Sequence, residues 1–234
     1  MPDPTLSLPA VAALRDRLVV SCQAPTGHPL RDTDTIARLA LAALLGGAGG
    51  LRANGPADVA ALRALTELPV IGLHKVLGES RNIITPTFEL ALGLASAGAD
   101  IIAIDSTLEA SALTGSLLER VQRETGLAVM ADISTLDEGL GAWDKGAELV
   151  GTTLAGYTPE SRSDDDRPAL ELVERLASRG VRVVAEGRYR YPSEVRAAFD
   201  AGAFAVVVGG AITDALAITA RFAAQAPSTL EHTR

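Results

Sequence analysis

Eight apolar runs punctuate this chain, and each ends in a polar or glycine-rich tail. Seven are plain: VVSCQ, LPVIGLHK, ADIIAIDS, LAVMADIS, AELVGTT, RVVAEGR and AFAVVVGG. A weaker eighth, GGLRAN, falls between the first two. Helical periodicity follows each one. Strands that are apolar throughout, rather than alternating, belong to a parallel sheet covered on both faces. Eight such strand–helix units close into a (β/α)8 TIM barrel, with chemistry on the loops that follow the strands. An open doubly wound sheet shows the same alternation, but the number and length of the runs favour closure.

The returns from helix to strand carry a period. Gly47-Ala48, Gly98-Ala99, Gly146-Ala147 and Gly202-Ala203 recur about fifty residues apart, two strand–helix units repeated four times. Glycine there suits a left-handed helix C-cap. A short leading helix, roughly residues 9–17, is expected to close the bottom of the barrel. Helix starts are expected at Thr33, Pro56, Thr85-Pro86, Pro192 and Thr213, and at Ser134-Thr135-Leu136-Asp137 as a capping box with Asp in place of Glu. The 234 residues suit one barrel domain spanning 1–234. Irregular loops are expected at 76–85 and 154–168. The second carries Tyr157 and the run Asp164-Asp165-Asp166, and its length suits a lid; the acidic run reads as a solvated cluster.

A net charge of −8 argues against a nucleic-acid surface, which needs clustered Lys and Arg. It leaves room for a phosphorylated ligand in a locally positive pocket. No apolar run is long enough for a membrane span, and the N-terminus has no basic region before an apolar stretch, so no signal peptide is expected. The single cysteine, Cys22, precludes an internal disulfide and suits a reducing cytoplasm. His28, His74 and His232 lack the spacing of zinc ligands. The expectation is a soluble cytoplasmic domain without a structural metal.

The strand tails then supply the candidate residues: Cys22, Gln23, Arg52, Lys75, Asp105, Asp132, Thr152, Glu186, Arg188, Gly209 and Gly210. Gly209-Gly210 opens a helix after the last strand, and Gly187-Arg188 follows the strand before it, the usual place for phosphate in such barrels. Lys75 stands among apolar neighbours, which lower the cost of the neutral amine and suit it to act as a base. It is one of only two lysines, the other being Lys145, in a chain whose remaining cations are arginines. Asp105, Asp132 and Glu186 bring three carboxylates to one end of the barrel. Gln23 suits a sugar hydroxyl or amide, and Cys22 reads as a small buried apolar residue. These residues describe acid–base chemistry on a phosphorylated small molecule, with isomerase, aldolase and decarboxylase all open.

In order, VSCQA, GLRAN, PVIGLHK, ITPT, MADIST, GTTLAGYTP, AEGR and VVVGGAIT resemble the N-acylmannosamine-6-phosphate 2-epimerases, bacterial enzymes of sialic acid and amino-sugar catabolism. The resemblance runs from about residue 18 to about 222. It implies cofactor-free interconversion of N-acetylmannosamine 6-phosphate and N-acetylglucosamine 6-phosphate through a ring-opened enediolate. It also implies that Lys75 moves the C2 proton, that Glu186 orients the lysine and the sugar, and that Gln23, Arg52 and Asp132 contact substrate. Asp105, Thr152 and Tyr157 join the substrate set, and Gly187, Arg188, Gly209 and Gly210 the phosphate set. Homodimers are common in that family, and the alanine-rich last helix from Ala215 to Ala224 is a candidate contact. Other readings are an aldolase using Lys75 as a Schiff-base amine, or a non-catalytic sugar-phosphate sensor. One departure stands out: where the family reads DATxRxRP, this chain reads Asp105-Ser106-Thr107-Leu108-Glu109-Ala110-Ser111, with neither arginine.

Overall fold

Each of the eight apolar runs forms a strand in the computed structural model, which describes residues 8–163 and 165–227. The reading of residues 1–7 as no signal peptide, Asp164 of the acidic run and His232 lie outside the described residues. The strands are β1 (Arg17–Cys22), β2 (Gly50–Asn54), β3 (Val70–Leu73), β4 (Lys75–Leu77), β5 (Asn82–Ile84), β6 (Ile101–Asp105), β7 (Ala128–Asp132), β8 (Leu149–Gly151), β9 (Val183–Glu186) and β10 (Ala205–Val208). All but β4 and β5 form a closed barrel, ordered β1-β2-β3-β6-β7-β8-β9-β10, with β10 pairing in parallel with β1. The fold is therefore the closed form, a (β/α)8 barrel.

The helices are α1 (Pro9–Ala13), α2 (Thr33–Leu45), α3 (Pro56–Arg63), α4 (Phe88–Ser96), α5 (Ser111–Thr114), α6 (Leu117–Thr125), α7 (Leu136–Asp144), α8 (Leu170–Ala177), α9 (Pro192–Asp200), α10 (Gly210–Thr213) and α11 (Ala215–Ala223). The four Gly-Ala returns all take the left-handed conformation, with φ of 97° at Gly47, 94° at Gly98, 94° at Gly146 and 93° at Gly202. Pro56 and Pro192 open α3 and α9 as expected.

Several caps shift by one to two residues. Asp32, not Thr33, caps α2 by accepting from the Thr35 amide, while Thr33 donates to Asp58. Thr87 caps α4, because the Thr85 hydroxyl accepts from the His74 amide instead. Thr135 caps α7, and Glu138 rather than Asp137 completes its box. Asp214 caps α11, the residue after Thr213. The leading helix ends at Ala13, short of the expected 17.

The loop expected over 76–85 is largely an antiparallel hairpin. β4 and β5 pair Lys75 with Ile84, Val76 with Ile83 and Leu77 with Asn82, outside the barrel sheet. It inserts between β3 and β6, which still pair directly with each other.

Side chains alternate along each strand between two apolar layers. The inner layer holds Val19, Ile71, Ile101, Ala103, Ala128, Met130, Leu149, Val184 and Ala205, closed below by Val11 and Leu14 and by Phe204. The outer layer holds Val20, Leu51, Val70, Ile102, Val129, Val150, Val183 and Val206 against helix residues such as Ile36, Leu94 and Leu176. Continuing the inward parity upward brings Ser21, Arg52, Asp105, Asp132, Gly151 and Glu186 to the mouth. This alternation selects the site.

Candidate active site at the barrel mouth

Arg52 rises from the middle of β2 into the barrel interior and is only 1% exposed. Its Nη1 donates to Glu186 Oε1 on β9 and its Nη2 to Asp132 Oδ2 on β7. Burial works against the guanidinium charge, but Asp132 and Glu186 together hold its pKa above the ordinary value. The Thr153 hydroxyl lies beside both carboxylates, 2.6 Å from Asp132 Oδ1 and 3.1 Å from Glu186 Oε2. Gly151 makes the cluster possible, since a Cβ there would lie 2.7 Å from Asp132 Oδ1. Asp132 is fully buried. Burial, then repulsion from Glu186 and Asp105, raises its carboxyl to about 7 in spite of Arg52 and Thr153.

Lys75 reaches this cluster from the first residue of β4. Its amide donates to Asn54 Oδ1 at 2.8 Å, and its Nζ donates to Gln23 Oε1 at 2.8 Å. Gln23 in turn donates to Ser21 Oγ at 2.7 Å. Crowding of the amine by protein atoms, then repulsion from Arg52, lowers its pKa below the ordinary lysine range, against the pull of Glu186 and Asp132. The residue as a whole is exposed. The lowering is thus that of an amine ringed by the barrel rim but open to water on one side.

Between the tails of β9 and β10 lies a cavity of about 440 Å³, lined by Ser21, Thr153, Glu186, Gly187, Gly209 and Gly210 among others. Gly187 and Arg188 turn sharply, with φ of 106° and 63°. Larger hollows lie along α6 and α7 (about 520 Å³) and along the β8–α8 loop (about 680 Å³). Neither touches Lys75 or Glu186.

Gln23, Arg52, Lys75, Asp132 and Glu186 therefore come together, with Tyr157, Gly187, Arg188, Gly209 and Gly210 around the adjoining cavity. Three of the expected residues have protein partners of their own. Asp105 is completely buried and faces Arg81 of the hairpin, which donates to both its oxygens at 2.6 and 3.3 Å. Thr152 is 1% exposed, and its hydroxyl brackets the backbone of Glu186, accepting from its amide at 3.0 Å and donating to its carbonyl at 2.9 Å. Arg188 lines the cavity, but its Nη atoms donate to the carbonyls of Ala155 and Asp165, and its guanidinium lies 5.7 Å from the Tyr157 ring centroid. It ties down the β8–α8 loop.

Cys22 faces outward into the outer layer, and burial pushes its thiol up to about 12, which removes it as a nucleophile. The sequence reading missed Thr153, Asn54, Arg81, Arg190 and Arg221; the last two also line the cavity. Counting inward parity from Leu149 through Gly151 would have selected Thr153 over its neighbour. Among the described residues, no group of three or more His, Cys, Asp or Glu is placed to hold a metal ion.

A closed parallel barrel that gathers a lysine and a buried arginine–carboxylate cluster at its mouth has the architecture of a barrel enzyme. Residues 36–228 match the family described as "Putative N-acetylmannosamine-6-phosphate epimerase". Curated relatives bear the same description as 2-epimerases. One from Cutibacterium acnes is 45% identical over 218 residues, covering 91% of this chain and 94% of its own. One from Caldanaerobacter subterraneus subsp. tengcongensis is 43% identical over 223 residues, covering 93% and 94%. The solved N-acetylmannosamine-6-phosphate 2-epimerase from Clostridium perfringens superposes with a TM-score of 0.83 at 36% identity, over 92% of this chain and 95% of that one. Thiamine phosphate pyrophosphorylase from Pyrococcus furiosus, at 19% identity, TM-score 0.61 and coverage of 88% and 90%, shares the fold alone. This chain belongs to the N-acetylmannosamine-6-phosphate 2-epimerase family, a family of isomerases.

Proposed function

We propose that this chain inverts C2 of N-acetylmannosamine 6-phosphate to give N-acetylglucosamine 6-phosphate, with Lys75 removing the C2 proton. The observation that carries this reading is the Lys75 amine, fixed by Gln23 at the barrel mouth with a lowered pKa above Arg52, Asp132 and Glu186. The C2 proton becomes acidic only when C1 is an aldehyde, so the pyranose opens first. The neutral amine then takes the proton, leaving a C1–C2 enolate that still carries the acetamido group on C2, its charge on the former aldehyde oxygen. Inversion needs the proton on the opposite face, so either the enolate turns in front of Lys75 or Glu186 delivers the proton from the other side. No redox step or group transfer is required, so no cofactor enters.

Glu186, held through its backbone by Thr152 and through its side chain by Arg52 and Thr153, orients the amine and the open-chain hydroxyls. Gln23, Asp132 and Tyr157 complete the sugar contacts. The turns at Gly187 and at Gly209-Gly210 receive the phosphate, with Arg188 at the rim of the same cavity. Asp105 and Thr152 act as supports.

A lowered lysine pKa equally suits a Schiff-base amine, and the aldolase reading therefore has its own test: borohydride trapping of a substrate adduct on Lys75. A homodimer belongs to the proposal because α11 buries none of its residues and leaves Leu216 and Phe222 exposed; sedimentation equilibrium tests it. Cytoplasmic residence is supported by the single cysteine; no helix among the described residues is long and apolar enough to cross a membrane.

The deciding experiment is proton NMR of N-acetylmannosamine 6-phosphate with the protein in deuterium oxide. Formation of N-acetylglucosamine 6-phosphate with deuterium at C2, lost in Lys75→Ala, is the expected result. Bound substrate with neither product nor C2 exchange would overturn the proposal.

A further inference from the structure

Lys75 does not sit on the barrel wall. It opens a hairpin that pairs only with itself, so its position depends on what fastens that hairpin. The base is held by the Lys75 amide on Asn54, by the paired bonds between His74 and Thr85, and by Ile84, which is 2% exposed. The far end is held by Arg81. Its Nη1 donates to Asp105 Oδ2 at 2.6 Å, its Nη2 to Thr107 Oγ1 at 2.8 Å and its Nε to Glu109 Oε2 at 2.8 Å, while Ser80 donates to Glu109.

Asp105 lies next to the cluster, being paired in register with Asp132 across β6 and β7. The charges thus form one row: Arg81, Asp105, Asp132, Arg52 and Glu186, with the Lys75 amine above its far end. Arg81 neutralises the first carboxylate of the row and pins the hairpin that carries the lysine. The β6–α5 loop, which lacks the two arginines of the related motif, contributes Glu109 as an acceptor for this incoming arginine.

We propose that Arg81 is a positioning residue for Lys75: by clamping the hairpin to Asp105, Thr107 and Glu109, it fixes where the amine stands and neutralises the buried carboxylate nearest the cluster. This rests on the role of Lys75 as the base. The amine is faced by Arg52 from β2, Asp132 from β7 and Glu186 from β9, with the neutral Gln23 after β1 and Asn54 on β2. Without Arg81 the outer end of the hairpin loses its hold on Asp105, Thr107 and Glu109, and the amine swings out of the crowded rim into water. The ammonium form of Lys75 is then favoured, so the free base appears only at higher pH.

The test pairs a kinetic readout with one that needs no substrate. Acetic anhydride labelling of the whole protein as a function of pH, read by mass spectrometry, reports the free amine of Lys75 with Lys145 as internal reference. In Arg81→Met, Lys75 labelling is expected to slow several-fold near neutrality and its midpoint to move to higher pH, with Lys145 unchanged. On N-acetylmannosamine 6-phosphate, kcat is expected to fall about tenfold to a hundredfold with KM little changed, and the rising limb of kcat/KM to move to higher pH. Arg81→Lys restores the limb and kcat only in part, because one ammonium re-anchors the hairpin on Asp105 but lacks the planar fork that spans Thr107 and Glu109 as well. If Arg81→Met does not fold, Glu109→Ala removes one of the three acceptors and is expected to act in the same direction with smaller effect. Wild-type labelling midpoint and wild-type kcat in a folded Arg81→Met protein, or in Glu109→Ala if only that variant folds, would overturn the inference. Failure of the wild-type protein to exchange C2 would overturn the epimerase reading alone, and the labelling result would still decide the clamp.

Discussion

At the bottom of the barrel the inward positions are Val19, Ile101, Ala128, Leu149 and Ala205, closed off by Val11, Leu14 and Phe204; at the top the same alternation presents Ser21, Arg52, Asp105, Asp132 and Glu186. The backbone geometry is shared, so the contrast lies in side-chain chemistry alone. Below, apolar area leaves water at about 25 cal/mol per Å² and needs no partner. Above, each buried charge requires an opposite charge or a hydrogen bond, and such pairs roughly break even against their own desolvation. Stability therefore comes from the bottom and the outer layer, while the mouth holds its charges for their chemistry.

Substitutions at the two ends should separate these roles. The largest effect is expected from Lys75→Ala, an activity loss of about 10²–10⁴-fold with the melting temperature nearly unchanged, since an exposed hairpin residue contributes little packing. Arg52→Met leaves Asp132 and Glu186 facing each other without a cation. It is expected to cost about 3–5 kcal/mol in urea unfolding at pH 8, and activity with it. Leu14→Ala opens a void at the bottom and is expected to cost about 2–5 kcal/mol while kcat stays at the wild-type value; a fall in kcat at constant fold would erase the distinction between the ends. Cys22→Ala, on the outer face, is expected to cost about 1 kcal/mol and to leave kinetics untouched at every pH.

The distinction between ends was legible in the sequence because strand tails and strand bodies differ in composition. All eight strands, the glycine returns and the lysine, arginine and carboxylates of the mouth follow from apolar runs and their endings. The hairpin did not. Its strands have three residues each, too short to show a period, and its turn through Gly78 lacks the usual Asn-Gly or Asp-Gly signal. Arg81 was missed for the same reason, since its partners Asp105 and Glu109 lie 24 and 28 residues away and meet it only when the hairpin folds back. The caps slipped because several polar residues compete at each helix start. Tertiary demands decide among them, as when Asp58 engages Thr33 and leaves Asp32 to cap α2.

The seam of the barrel joins the first strand to the last, Arg17–Val20 against Ala205–Val208. During synthesis the ring stays open until residue 208 has emerged, long after Gln23, Arg52 and Lys75 are exposed to solvent. Until then β1 offers an unpaired edge to neighbouring nascent chains. Every messenger truncated upstream of β10 yields a product with two such edges and no finished mouth. For this fold, birth order makes the final strand the step at which a sticky, inactive chain becomes a working one.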